Sequence, residues 1–126
     1  NEDCYVPSNF YQAVKMDAID AAVIDFEPIG GITELQRMDN IAVEAGLPLA
    51  HHCGWDMGIK LAAILHATST MLSFKCPMDS TYMAHGDDVL VNRIKIEDGC
   101  YLIPSEGPGL GIVVDEKKIE KLSIEK

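Results

Sequence analysis

The feature that most limits the possible folds is a regular alternation of helical and apolar segments along residues 1–80. Residues 21–24 and 47–50 are short apolar runs with the length and composition of buried strands. The segments around them repeat apolar side chains at helical spacing. The order helix, strand, helix, strand, helix, strand predicts an α/β fold in which crossover helices join parallel strands.

Local signals fix where these elements begin and end. Pro7 is typical of the first turn of a helix. Thr33 and Gln36 have the spacing of a capping box, which predicts the start of the next helix, and Gly46 is a typical helix end. Residues 71–74 predict a third short strand.

The end of the chain has a different pattern. Residues 93–97 alternate polar and apolar side chains, Asp98 and Gly99 form a typical hairpin turn, and residues 100–103 return along it. A short polar helix is expected after Asp115. The tail therefore predicts a β-hairpin and a short helix.

Size and composition limit the class of protein. The chain has 126 residues, whereas a closed eight-stranded βα barrel needs about 250. Three strands would leave open edges, which proteins normally cover or pair. Either the missing strands come from another chain, or this chain is a fragment of a longer protein, with βα units over residues 1–80 and a hairpin and closing segment over residues 81–126; we expect the fragment. The chain begins at Asn1 rather than Met, which agrees with that expectation.

The charge and the cysteines exclude several functions. A formal net charge of −10 disfavours nucleic acid as a partner. No apolar run approaches the roughly 18 residues of a membrane span. The four cysteines lie far apart without a C-x-x-C pair, which favours reduced thiols in a cytoplasmic protein over disulfides or a zinc site.

Two side chains stand where a parallel barrel carries its chemistry. Asp25 and His52 each follow a predicted strand, at the end that forms the active-site face. Neighbouring strands lie about 4.8 Å apart, so the two groups can approach hydrogen-bonding distance. A carboxylate beside an imidazole orients the ring, as a general base requires. The alternatives are that Asp25 begins a turn and His52 lies in a surface loop. His51 should point away from the barrel axis, unless a bulge exchanges it with His52.

Three motifs together resemble the mandelate racemase/muconate lactonizing enzyme family of the enolase superfamily. DFEPIGGITE at residues 25–34 resembles the sixth-strand motif of its mandelate-racemase-like subgroup. AGLPLAHH at residues 45–52 resembles the seventh strand, which ends in the catalytic His. Residues 97–99 and 108–112 resemble the C-terminal hairpin and closing segment. The resemblance implies the C-terminal part of a (β/α)8-like, TIM-type barrel that works with a separate capping domain.

The resemblance also implies a chemistry. Members bind Mg²⁺ and remove the proton α to a substrate carboxylate, while the metal stabilises the charge that develops. Asp25 and His52 would form the catalytic Asp-His dyad. Glu2 matches the metal ligand of the fifth strand, with Asp3 as the competing choice, and the other two ligands would lie upstream.

The substrate pocket is less defined. In mandelate racemase itself, a Glu near the end of the eighth strand protonates the intermediate, whereas here Cys76 falls at about that position. This difference argues against mandelate as the substrate. Asp79 can substitute if the strand runs longer, or it caps a turn. Trp55 and Asp56 follow the catalytic strand and are candidates, with Asp79, for substrate binding, although Trp55 is equally consistent with packing.

The leading functional hypothesis is an Mg²⁺-dependent hydro-lyase that dehydrates a sugar acid or another hydroxy acid. The alternatives are a racemase or epimerase, whose second base would be a Lys on an upstream strand, and a fragment that is inactive because Glu2 alone cannot hold Mg²⁺. The expected partners are a small carboxylate substrate, the upstream barrel strands and capping domain, and further copies in a homo-oligomer.

Overall fold

The computed structural model describes residues 2–123. Its helical elements are a 3-10 helix (Glu2–Tyr5), α1 (Pro7–Lys15), α2 (Ile32–Ala45), α3 (Gly58–Thr68), a second 3-10 helix (Tyr82–Ala84) and α4 (Glu116–Leu122). Its strands are β1 (Ala22–Ile24), β2 (Leu49–His51), β3 (Ile96–Glu97) and β4 (Cys100–Tyr101). None of the helices in this described part of the chain is long and apolar enough to cross a membrane.

The described residues form two compact units. The first contains the described residues up to Gly54 together with Ala67–Ser80. The second contains Trp55–His66 and the described residues from Thr81 onward. The division of the chain near residue 80, which the sequence predicts, stays a prediction.

The first unit is built on a parallel sheet, as predicted. β1 pairs with β2 in parallel, so that Ile24 lies opposite His51. On the other side of β2, Leu49 forms a parallel bridge with Phe74, and the Leu49 N–H donates to the Ser73 carbonyl at 2.7 Å. The predicted third strand is therefore reduced to one bridge. β2 lies between β1 and the segment that begins at Ser73.

One face of this sheet is buried against helices. Ile24 and Leu49 are fully buried and pack with Phe10, Leu35 and Met38, which come from α1 and α2. Burying one such side chain stabilises a fold by about 1.5–3 kcal/mol. The core of the first unit therefore lies between the sheet and these two helices.

The start of α2 differs from the predicted capping box. The helix begins at Ile32 after Gly31, and no side chain caps it. Gly31 has φ 94°, a conformation that other residues rarely adopt, and this sharp turn starts the helix before Thr33. Thr33 and Gln36 therefore lie inside the helix, and the capping-box prediction is wrong. The predicted end is confirmed, because Gly46 caps the helix in the left-handed conformation with φ 68°.

The second unit contains the hairpin and the short helix that the tail predicts. β3 and β4 pair antiparallel, and the turn between them has φ 50° at Asp98 and 79° at Gly99. Positive φ at both positions is the requirement of the tight hairpin turn that favours this residue pair. α4 begins at an N-cap, because the Asp115 side chain accepts from the Lys118 N–H at 3.1 Å.

A buried carboxylate organises the rest of the second unit. Asp88 is 1% exposed and accepts from the Gly58 N–H at 2.9 Å, which satisfies a free donor at the start of α3. The Tyr82 hydroxyl also donates to Asp88. Arg93 stacks 4.8 Å from the Tyr82 ring centre and donates to the carbonyls of Tyr82 and His85. These contacts fix the 3-10 helix at residues 82–84 within its unit.

Candidate active site

The ends of β1 and β2 bring two candidate residues to one edge of the sheet. Asp25 directly follows β1 and His52 directly follows β2. The His52 N–H donates to the Ile24 carbonyl at 2.9 Å, so the parallel ladder continues to the first residue after β2. The expectation that these residues stand at the carboxyl ends of adjacent parallel strands is confirmed.

The two consecutive histidines have different environments. His51 is 2% exposed, and its ring centre lies 6.3 Å from that of Phe26. The His52 side chain is 31% exposed. Because side chains alternate along a strand, a buried His51 leaves His52 on the opposite face. The alternative in which a bulge exchanges the two rings is not what the structure contains.

His52 makes its side-chain contact with Asp79. The Nδ1 atom of His52 lies 2.9 Å from the Asp79 Oδ2 atom. The backbone N–H of Asp79 donates to the His51 carbonyl at 3.1 Å, so the segment after Ser73 continues beside β2 as far as this point. The sequence predicts Asp79 for substrate binding and gives no indication of this contact with His52.

Asp25 is buried, with an exposed fraction of 8%. Its Oδ1 atom accepts from the Glu27 N–H at a long distance of 3.5 Å. This contact within the same turn agrees in part with the alternative that Asp25 begins a turn. The pairing of Asp25 with His52 as a dyad stays a prediction.

Trp55 and Asp56 belong to the second unit. Trp55 is 75% exposed and has φ 65°, which is uncommon for a bulky side chain. Its N–H donates to the Thr81 hydroxyl at 3.0 Å. Asp56 is 8% exposed and pairs with Lys60 at 2.7 Å, so its carboxylate is already neutralised by a cation. The exposure of Trp55 disfavours a packing role, and substrate binding by either residue stays a prediction.

The candidate metal ligands lie near the start of the chain. Glu2 and Asp3 are exposed residues of the first 3-10 helix, which packs against α1 and β1. Carboxylate oxygens are the ligands that Mg²⁺ prefers, so the chemistry of this pair fits the ion. Across residues 2–123, however, no three His, Cys, Asp or Glu side chains are grouped to hold a metal. The assignment of Glu2 as a metal ligand, with Asp3 as the competing choice, stays a prediction.

Comparison with known proteins decides the family. Residues 1–118 match the family described as enolase C-terminal domain-like. The chain belongs to this family. Its fold is accordingly the C-terminal part of an enolase-superfamily barrel, with the parallel strands, crossover helices and C-terminal hairpin described above.

Individual relatives of this enolase C-terminal domain are longer enzymes. A probable glucarate dehydratase of Streptomyces coelicolor is 27% identical over 108 residues, which are 86% of this chain and 25% of that protein. Arabinonate dehydratase of Saccharolobus solfataricus is 28% identical over 120 residues, 95% of this chain and 32% of that protein. The chain thus spans only a quarter to a third of the length of these relatives.

A solved structure gives the same fold. An enolase from Gibberella zeae PH-1, complexed with magnesium, formate and sulfate, superimposes with a TM-score of 0.83 at 29% identity. The match covers 91% of this chain and 27% of that one. Other relatives of this enolase C-terminal domain are cycloisomerases. The relatives are therefore enzymes with dehydratase or isomerase activities.

Cys76, at the position that the resemblance matches to the eighth strand, lies in the segment after Ser73, beside β2. It is exposed, and its backbone N–H donates to the Leu49 carbonyl at 3.3 Å. Asp79 lies three residues further along the same segment and reaches His52. A polar residue soon after a short strand is the only sequence signal for Asp79, and it is too weak to identify a partner.

Proposed function

We propose that this chain supplies the general base of an Mg²⁺-dependent enzyme that removes the proton α to a carboxylate. The substrate class is a sugar acid or a related hydroxy acid, and the reaction is dehydration. The observation that carries the proposal is the position of His52 at the carboxyl end of a parallel strand, next to the strand that ends at Asp25. The activities in the names of the glucarate and arabinonate dehydratase relatives support the choice of substrate class.

The proposed steps use His52 twice. The neutral imidazole takes the proton from the α-carbon, and the resulting imidazolium returns a proton to the β-hydroxyl, which leaves as water. The partial exposure of the His52 ring is consistent with access by a substrate. Glu2 would contribute one oxygen ligand to Mg²⁺, which when bound supplies positive charge next to the substrate carboxylate.

The proposal requires residues beyond this chain. Val23 lies between buried neighbours on β1 and is 37% exposed, so the sheet face opposite the helices is open at this position. In a closed barrel that face is filled by side chains of the other strands. We propose that upstream barrel strands and a capping domain cover it, in a homo-oligomeric cytoplasmic enzyme. The isolated chain should then be inactive.

The test uses the assembled enzyme, which is this chain together with the proposed upstream barrel strands and capping domain. It measures α-proton exchange in deuterated water. Glucarate, arabinonate and galactonate with MgCl₂ serve as probes. His52→Asn should lower exchange by about 10²–10⁴-fold, the usual contribution of a general base. Asp25→Asn should act in the same direction but more mildly, because the imidazole remains.

A matched control is His66→Asn. His66 is a half-buried histidine of α3 whose Nε2 atom lies 3.1 Å from the Leu110 carbonyl oxygen, and its replacement should leave exchange unchanged. Exchange by His52→Asn at the wild-type rate would exclude His52 as the base. Exchange without loss of water from the substrate would instead favour the racemase or epimerase hypothesis.

A further inference from the structure

An exposed aromatic side chain follows the proposed base along the chain. Trp55 comes three residues after His52 in the sequence and is 75% exposed. Three residues span at most about 11 Å even when the chain is fully extended. A substrate that reacts at His52 therefore lies close to the loop that carries Trp55.

The backbone holds Trp55 in an unfavourable conformation. Its φ of 65° lies in the left-handed region, where the Cβ atom crowds the main chain. Strained positions of this kind persist only where neighbouring groups fix them, and they cluster at active sites and ligand-binding loops. The strain therefore indicates that the direction of this side chain has a function.

Two residues of the second unit fix the Trp55 loop. The Thr81 hydroxyl accepts from the Trp55 N–H at 3.0 Å. The His85 ring contacts the indole in a T-shaped arrangement, with the ring centres 6.0 Å apart. His85 is itself held, because its N–H donates to the Tyr82 carbonyl at 3.3 Å and its carbonyl accepts from Arg93 at 2.9 Å. The indole thus has a fixed direction, while most of its surface stays exposed.

An exposed indole with a fixed direction suits a hydroxylated carbon chain. The face of an aromatic ring carries partial negative charge, which attracts the slightly positive C–H hydrogens of such a chain. The indole N–H can also donate to a hydroxyl group. Small-molecule sites combine aromatic surface with a few polar groups in this way. A sugar acid has hydroxylated carbons beyond the two at which it reacts, and these distal carbons are the part that such a surface fits.

We propose that Trp55 is a specificity-determining residue that packs against the distal hydroxylated carbons of a sugar acid, and that Thr81 positions it. This inference rests on the proposed function of His52 as the base, and it names the part of the substrate that the Trp55 loop contacts. The contact favours sugar acids over shorter hydroxy acids, which lack those carbons.

The test compares substrates of different length in the assembled enzyme with MgCl₂. The long substrate is whichever of glucarate, arabinonate and galactonate exchanges its α-proton fastest. The short one is glycerate, which has the α-proton and the β-hydroxyl but no carbon beyond them, measured as a substrate or as a competitive inhibitor. Trp55→Ala should raise KM for the sugar acid about 3–10-fold with little change in kcat, because a contact away from the reacting atoms contributes to binding alone. The constant for glycerate should stay unchanged.

Further variants separate this contact from other roles. Trp55→Phe keeps an aromatic face and should restore most of the affinity for the sugar acid. Thr81→Val removes the hydroxyl at nearly constant volume and should raise the same KM, whereas Thr81→Ser keeps the hydroxyl and should not. Val113→Ala is the matched control, because it shortens another apolar side chain of the second unit that is 65% exposed, and it should change neither constant.

The inference and the proposed function fail in different ways. An unchanged KM for the sugar acid in Trp55→Ala, or an equal loss for both acids, would overturn the role of Trp55. If that equal loss comes with dissociation of the assembled enzyme in size-exclusion chromatography, the ring makes a protein contact instead. A lack of exchange with every sugar acid would also overturn the inference. Full exchange in His52→Asn would overturn the proposed base, while the dependence of KM on substrate length still reports on Trp55.

Discussion

Asp39 is a buried carboxylate of α2 that fixes the start of the segment leading to Asp79, and its replacement by Ala should destabilise the first unit. Its Oδ1 atom accepts from the Ser73 N–H at 2.9 Å and from the Ser73 hydroxyl. Its Oδ2 atom accepts from the Leu72 N–H at 3.3 Å. Asp39 and Ser73 are 7% and 2% exposed, so water cannot readily replace these bonds.

The expected loss follows from these contacts. Two hydrogen bonds from Ser73 to a charged group, at about 1.5–3 kcal/mol each, give a gross loss of about 3–6 kcal/mol. The exposed Leu72 can find water and adds little. Removing a buried carboxylate also relieves its own desolvation cost, which offsets part of the loss. We therefore expect Asp39→Ala to lower the free energy of unfolding by about 2–4 kcal/mol.

Urea unfolding followed by circular dichroism measures this quantity. Glu44→Ala is the matched control, because it removes an exposed carboxylate from the same helix and should change the free energy by less than about 0.5 kcal/mol. Combined with Ser73→Ala, a double-mutant cycle should give a coupling of about 0.5–3 kcal/mol. A loss in Asp39→Ala no greater than that of the control, or no coupling, would refute the reasoning.

Two further predictions concern the metal and the second unit. Glu2→Gln in the assembled enzyme should weaken Mg²⁺ binding, measured by calorimetry, by at least about tenfold. If Asp3→Asn has this effect and Glu2→Gln does not, Asp3 is the ligand. Burial, followed by the hydrogen bond to Asp88, raises the pKa of Tyr82. The unfolded chain loses this proton first, so stability is fully present below about pH 10 and falls as pH rises towards the higher pKa of the folded state. Tyr82→Phe should flatten that alkaline fall in unfolding experiments, and an unchanged pH dependence would contradict it.

Local sequence signals predicted the parts of the fold whose cause is local. Gly46 ends α2 because a left-handed residue is needed there, and Asp98 with Gly99 makes the turn that both prefer. The apolar runs of β1 and β2, separated by a helix, required a parallel crossover. The helix end and the hairpin turn depend on a few consecutive residues, and the crossover depends on the order of the elements, all of which the sequence contains in full.

The parts that the sequence did not predict depend on contacts between distant residues. Thr33 is a residue type that often caps helices, but the turn at Gly31 starts α2 earlier. Asp79 lies in a segment without a strand period, and its place beside His52 comes from a backbone hydrogen bond to His51. Strand parity identified which of the two histidines faces the open side. It could not identify the carboxylate at Nδ1, because that depends on the path of a segment 27 residues away.

The site and the core should therefore respond differently to mutation. The side chains of His52 and Asp79 are 31% and 57% exposed, and main-chain hydrogen bonds to Ile24 and His51 hold their backbones. Replacing either side chain leaves those bonds intact, so stability should change by less than about 0.5 kcal/mol, while proton exchange should fall when His52 is replaced. Asp39→Ala should have the opposite effect. It lowers stability because it removes buried hydrogen bonds, and it does not alter a reacting group directly. Any exchange that it loses should return under conditions that restore the fold, whereas exchange lost in His52→Asn should not.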